Sequence, residues 1–169
     1  MKARFVAAGM LVISLTFTNQ IFAETLGYPS VEEASFLLDY PDDWAMVPGE
    51  NAGDYVSLAS PSGVSLQLRT VSGTESAMDQ VVAENVQFLE DNFTGVELGD
   101  AKDIDAGGGL TGSLLQGTGI DSDKKAVNFS IFFVTLPDGN IADIWYSAYQ
   151  GDVAGSKAAA GVLDSFRTP

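Results

Sequence analysis

VSLQLRTVSGTESAMDQVVAENVQFLEDNFTG, running from Val64 to Gly95, changes its hydrophobic period partway along. At its start Val64, Leu66 and Leu68 alternate with Ser65, Gln67 and Arg69, the two-residue period of a strand with one buried face. From Ser76 onward Met78, Val81, Val82, Phe88 and Leu89 recur at helical spacing, with Asn85 in the same stripe and Asp79, Glu84, Glu90 and Asp91 on the other faces. Thr74 or Ser76 is placed to cap that helix and Phe93-Thr94-Gly95 to end it, a length of roughly 17 residues. A strand feeding one helix is compatible with several folds, so its neighbours on either side decide the class.

Upstream, Asp54 to Ser60 carries Tyr55, Val56 and Leu58 and stops at the turn Ser60-Pro61-Ser62-Gly63, which makes it the hairpin partner of the Val64 strand. Before it, Phe36-Leu37-Leu38-Asp39-Tyr40 is a compact apolar run halted by Pro41, with a turn through Asp42 and Asp43, and Trp44 opens a second short strand. Residues 24–33, with Gly27, Pro29 and Ser30, read as a flexible leader, so the domain is expected over 34–169. Downstream come further extended segments, Val96 to Asp105, Leu110 to Ile120, Lys124 to Leu136 and Asn140 to Gln150. They are separated by Gly107-Gly108-Gly109, Asp121-Ser122-Asp123 and Pro137-Asp138-Gly139, each a turn signal. Val153 to Phe166, rich in alanine, reads as a closing helix interrupted by Gly155 and Gly161. Strands, helix, strands and helix in that order do not alternate as a parallel doubly wound sheet requires, so an α+β domain with helices covering an antiparallel meander is expected.

Lys2 and Arg4 precede an apolar run from Phe5 to Leu15, and Ile21-Phe22-Ala23 closes the segment, the order of a secretory signal peptide over 1–23. The run is about half of the roughly 20 apolar residues that a spanning helix needs, so no membrane span is expected after cleavage near Ala23. The expected location is periplasmic or secreted. The 169 residues contain no cysteine, which removes disulfides, thiol nucleophiles and thiolate metal sites. They contain no histidine either, which removes the commonest general base and the usual transition-metal ligand. Of 8 Lys and Arg, Lys2 and Arg4 lie in the signal segment, which leaves six against 23 Asp and Glu, a formal −17 for the remainder. Such a surface repels nucleic acid and anionic lipid and favours solubility or a basic partner. Nothing in the sequence sets an oligomeric state.

Three motifs then carry a family likeness. Phe36-x-x-x-Tyr40-Pro41-x-x-Trp44, Ser60-Pro61-x-Gly63 and the terminal Leu163-Asp164-Ser165-Phe166-Arg167 occur in the order found in the PsbP-like and DcrB-like superfamily, which this chain resembles over nearly all of its length after residue 23. The resemblance implies an α/β/α sandwich with a central antiparallel sheet of about six to eight strands and two main helices. It also implies a binding or assembly-assisting role rather than an enzymatic one, since relatives include extrinsic photosystem subunits, a nuclear-transport regulator and secretion-effector chaperones. Within it, Pro41 and Trp44 would shape a turn and plug one end of the sheet, and Leu163 and Phe166 would seat the last helix. No common ligand site maps onto these positions, and the metal-ligating histidine of some photosystem members has no counterpart here.

Candidate chemistry is correspondingly thin. Asp39, Asp42 and Asp43 near the first turn, Asp103 with Asp105, and Asp121 with Asp123 could offer oxygens to calcium, but none has the order of an EF-hand or its terminal glutamate. Ser122-x-x-Lys125 has the spacing of an acylating serine–lysine pair but falls in a hairpin turn, where Ser and Asp are ordinary. The glycine triplet opens no helix and so is not a phosphate cradle. Trp145 and Tyr149 share one face of their strand and Tyr146 the other, and Trp44, Trp145 and Tyr149 are the candidate aromatic anchors for a partner. The expected function is an exported, non-enzymatic binding module, needing no cofactor, whose acidic face meets an envelope protein with a basic surface. A calcium- or small-molecule-binding periplasmic protein is the alternative.

Overall fold

The computed structural model describes residues 24–51 and 53–169, so the signal peptide expected over 1–23 lies outside the described residues. In chain order the strands are β1 (Glu24–Tyr28), β2 (Phe36–Tyr40), β3 (Ala45–Val47), β4 (Val56–Ala59) and β5 (Ser65–Ser72). Helix α1 (Glu75–Asn92) follows, then β6 (Thr94–Leu98), β7 (Lys102–Gly107), β8 (Leu110–Ile120), β9 (Ala126–Thr135), β10 (Asn140–Tyr149) and helix α2 (Val153–Asp164). The eight-stranded sheet has the order β3-β4-β5-β10-β9-β8-β6, with β7 pairing with β8 beside β6, and every pairing is antiparallel. β1 and β2 form a separate two-stranded ribbon.

The strict alternation in β5 sorts the sheet into two faces. Leu66 and Leu68 stand opposite Tyr146 and Ile144 of β10, while Gln67 and Arg69 stand opposite Trp145 and Asp143. The first set joins Phe36, Leu38, Leu58, Val64, Ala142, Val134, Ala159 and Val162 in the larger core, beneath α2 and the β1-β2 ribbon. Phe36 is its centre, fully buried and stacked between Tyr28 at 5.7 Å and Phe166 at 5.1 Å. Trp44 is buried in this core, and Leu163 and Phe166 pack against it from the end of the chain. Gly155 allows the first turn of α2 to settle on Val64, Ser62 and Asp152, with which an added Cβ would collide. On the opposite face α1 lays Val81, Asn85 and Leu89 down, and Leu89 meets Phe129, Ile131 and Trp145 in a smaller cluster.

Three expectations change. The leader of 24–33 is not free, because Glu24–Tyr28 pairs with β2 in register and buries Leu26 and Tyr28. Two apolar residues in alternation among Gly27 and Pro29 are too short a pattern to announce a strand. The segment Val96 to Asp105 divides into β6 and β7, which share the outer edge of the 11-residue β8. The break falls at Gly99, whose N–H donates to the Gln116 carbonyl at 2.9 Å, and the chain steps to a new register there. Finally α2 stops at Asp164 rather than Phe166. Arg167 exchanges backbone hydrogen bonds with Leu37 at 2.7 and 3.0 Å, and that bridge needs extended backbone.

Candidate functional site

Arg69 lies on the polar parity of β5, the side that reads as solvent-facing, yet α1 crosses over it. Its Nε donates to Asp143 Oδ2 at 3.0 Å and its second terminal nitrogen to Glu84 Oε2 at 2.9 Å, so one guanidinium ties the sheet to the helix. The plane of that guanidinium sits 4.3 Å above the Tyr55 ring, a cation–π contact. Tyr55 in turn donates its hydroxyl to Asp143 Oδ2 at 2.6 Å. The Trp145 indole N–H donates to Asn85 Oδ1 at 2.9 Å, completing a bridge from β10 to α1.

Asp143 has no exposed surface and is the only buried acidic side chain among the described residues. Burial pushes its carboxyl above the ordinary range, against the opposing pull of the Tyr55 and Arg69 hydrogen bonds. Burial also raises the Tyr55 phenol, reinforced by the Asp143 charge, so its proton is held at neutral pH and it supplies neither base nor nucleophile. The Glu84 carboxyl is lowered by its hydrogen bonds from Arg69 and Gln80. Asp143 Oδ1 and Asn85 Nδ2 are buried without a partner. The arrangement is an ionic clamp that ties the sheet to α1. Sequence reading missed it, although a lone aspartate within Ile-Ala-Asp-Ile-Trp and an asparagine inside the helix's apolar stripe are the signals that mark it.

A small concavity of about 180 Å³ lies beside the clamp, and two larger ones flank β7, one touched by the end of α2 and the other by the first turn of α1. On the α2 side, Ile104 and Ala106 of β7, Phe132, Val134, Ile144, Leu163 and Phe166 line a mainly apolar cleft of about 490 Å³, which Asp164 also borders. On the α1 side, Met78, Ile104, Phe133 and Ile141 with Asp103, Thr111 and Ser113 line a shallower hollow of about 520 Å³. β7 runs between the two and pairs with β8 alone among the described residues.

The candidate calcium ligands do not come together. Asp39 is held by Arg167 through bonds of 2.9 and 3.0 Å and takes the Thr25 hydroxyl at 2.8 Å. Asp42 and Asp43 are exposed in the turn before Trp44. Asp121 accepts the Lys125 N–H at 2.8 Å to close its own hairpin, Asp123 is exposed beside it, and Asp105 accepts the Gly107 N–H at 2.9 Å. Among the described residues no three His, Cys, Asp or Glu side chains are gathered to hold a metal ion. Of the candidate anchors, Trp44 and Trp145 are 6 % and 5 % exposed and belong to the two cores, so neither indole is free to meet a partner. Tyr149 is half-buried with the Lys125 ammonium 4.6 Å above its ring, on the opposite face from Tyr146, whose hydroxyl meets Ser156. Ser122 and Lys125 lie in the β8-β9 hairpin, in a turn stabilised through the Asp121 carboxylate.

An eight-stranded antiparallel sheet with one helix on each face defines an α/β/α sandwich, a fold that the chain shares with cyanobacterial PsbP. Solved structures give that likeness its particulars. Cyanobacterial PsbP (CyanoP) from Synechocystis sp. PCC 6803 superposes with a TM-score of 0.58 at 15% identity, covering 94% of this chain and 99% of that one. LpqN, involved in cell envelope biogenesis of Mycobacterium tuberculosis, gives 0.54 at 19% identity over 79% of this chain and 83% of its own. The Saccharomyces cerevisiae Ran-binding protein Mog1p gives 0.52 at 8% identity, covering 86% of this chain and 94% of that one. At such identities the likeness is one of fold. No protein-family model matches the chain, and no curated protein matches it in sequence. No helix among the described residues is long and apolar enough to cross a membrane.

Proposed function

We propose that this chain is an exported, non-enzymatic accessory module of the cell envelope that binds another protein through an acidic surface. The observation that carries the reading is the placement of charge. Every one of the 23 Asp and Glu residues except Asp143 reaches the surface, and of the six Lys and Arg after residue 23, Arg69 and Arg167 are committed to ion pairs within the fold. A surface so one-sided attracts a basic partner from a distance and selects against acidic ones.

Other features support it. The basic and apolar N-terminal segment suits export, and LpqN, whose fold this chain shares, is described as involved in cell envelope biogenesis. The chain has no thiol or imidazole, and the buried ionic cluster around Asp143 ties the sheet to α1. The test is affinity capture from an envelope extract at roughly 0.05 and 0.5 M salt, across which screening of exposed charges rises steeply. A specific partner that is retained at low salt and released at high salt is expected. Capture of nothing under both conditions would sink the reading, and capture indifferent to salt would remove its electrostatic part.

A further inference from the structure

We propose that the outer edge of β7 is a docking edge for an extended, lysine- or arginine-bearing segment of a partner protein, which adds to the sheet as a further strand. This rests on the accessory-module reading and names where and how the partner is held.

Three independent features converge on this edge. β7 is bonded on one side only, so alternate backbone N–H and C=O groups along Lys102–Gly107 face outward, the template that strand addition uses. An added strand sends successive side chains to opposite faces of the sheet. β7 is flanked by a concavity on each face, the cleft of about 490 Å³ beside α2 and the hollow of about 520 Å³ beside α1, and Ile104 lines both. One set of incoming side chains therefore meets Phe132, Leu163 and Phe166, and the other meets Met78 and Phe133.

Charge decides the occupant. Asp164 borders the cleft, while Asp103 and Asp105 share the other face of β7, on the side of the hollow. A second copy of this chain pairing through β7 would set Asp103 and Asp105 against their own equivalents, and opposed like charges destabilise cross-strand pairs. The same residues attract a segment that alternates apolar and basic side chains. Lys102 is the one cation of β7, at the end of the strand away from Gly107, and leaves the Asp103 to Gly107 stretch acidic.

The probe is a synthetic peptide of about eight residues alternating lysine with valine or leucine, set beside its glutamate counterpart, with the purified protein followed by amide hydrogen exchange. The lysine peptide is expected to slow exchange across Lys102–Gly107 and to bind at least about tenfold more tightly than the glutamate peptide. In the exposed double variant Asp103→Lys with Asp164→Lys that preference is expected to reverse. Protection located elsewhere, equal binding of the two peptides, no binding of either, or a preference unchanged in the variant would each overturn the proposal. If the variant still captures the envelope partner undiminished, the module reading stands while the β7 edge fails. If no partner is captured by any form, the module reading fails on its own test.

Discussion

The sheet is packed by different chemistry on its two faces. Under α2 and the β1-β2 ribbon, the buried side chains are Phe36, Leu38, Leu58, Leu66, Leu68 and Ile144, and the interior of the layer is apolar, with polar ties only at its rim. Under α1 a four-residue cluster of Leu89, Phe129, Ile131 and Trp145 shares the space with Asp143, Arg69, Tyr55 and Asn85. A dry layer tolerates exchange of one apolar shape for another of equal volume. A layer built on a buried charge tolerates only changes that keep every partner or remove them all, since one uncompensated charge costs more than the pair contributes.

The sharpest way to break this contrast is Asp143→Ala. It takes from the Arg69 Nε and the Tyr55 hydroxyl their shared acceptor beneath α1 and leaves Arg69 only its Glu84 bond, so a loss of about 3 kcal/mol, the lower end for breaking a buried pair, is expected in urea unfolding. Replacing both ends, Asp143→Leu with Arg69→Met, is expected to recover much of that loss, because the buried charge and its counter-charge leave together and only the Tyr55 hydroxyl loses its close acceptor. If the double variant were as unstable as the single one, the clamp would be doing something other than balancing charge.

On the α2 face the corresponding test is Leu66→Ala against Leu66→Met. Leu66 is fully buried, so truncation is expected to cost about 2–5 kcal/mol and the volume-conserving change less than about 1.5. Equal costs would mean that this face, too, depends on one specific shape. A smaller effect is expected at Gly117, whose missing Cβ leaves room for the Phe129 ring, since an added Cβ would lie 2.6 Å from it. Gly117→Ala is expected to cost about 1–3 kcal/mol through overpacking, read as a lower midpoint in thermal unfolding.

How far each face could be read in advance follows from the same difference. Period-2 alternation in Val64–Arg69 and the helical stripe from Met78 to Leu89 place β5 and α1, and the turn signals between the flanking extended runs give the antiparallel order, because apolar burial and turn chemistry write patterns along the chain. The clamp writes none. Arg69, Glu84 and Asp143 are far apart in sequence, and polar residues on alternate positions of β5 look the same whether water or a helix lies over them. The aspartates that sequence reading did single out, Asp121 and Asp105 among them, close their own turns, which is a local role that composition cannot distinguish from ligand binding. Trp44 and Trp145 invited an interface reading because large aromatics serve both interfaces and cores, and only tertiary burial separates the two uses. The β7 edge was hidden for another reason, since its strand was expected to be continuous with β6.

The weakest lever on the comparison is the ion pair that ties the chain's end to the dry face. Arg167 grips Asp39 through two hydrogen bonds, and that hydrogen bonding holds the Asp39 carboxyl below its ordinary range. A carboxyl whose folded pKa is depressed adds stability above its unfolded value of about 3.9, and that stability is lost as pH falls through the lower, folded value. The pair is partly exposed, with side chains 29% and 43% accessible, so screening limits it to about 0.5 kcal/mol. Asp39→Asn is therefore expected to lower stability by that small amount at pH 7 and by less as the wild type approaches pH 3, with the gap narrowing further in high salt. The backbone bridge between Leu37 and Arg167 does not titrate, so it should keep the C-terminal residues docked on β2 throughout. Release of those residues by acid alone, read as faster amide exchange at Leu37 and Arg167, would show that the ion pair and not the bridge seats the end of the chain on this face.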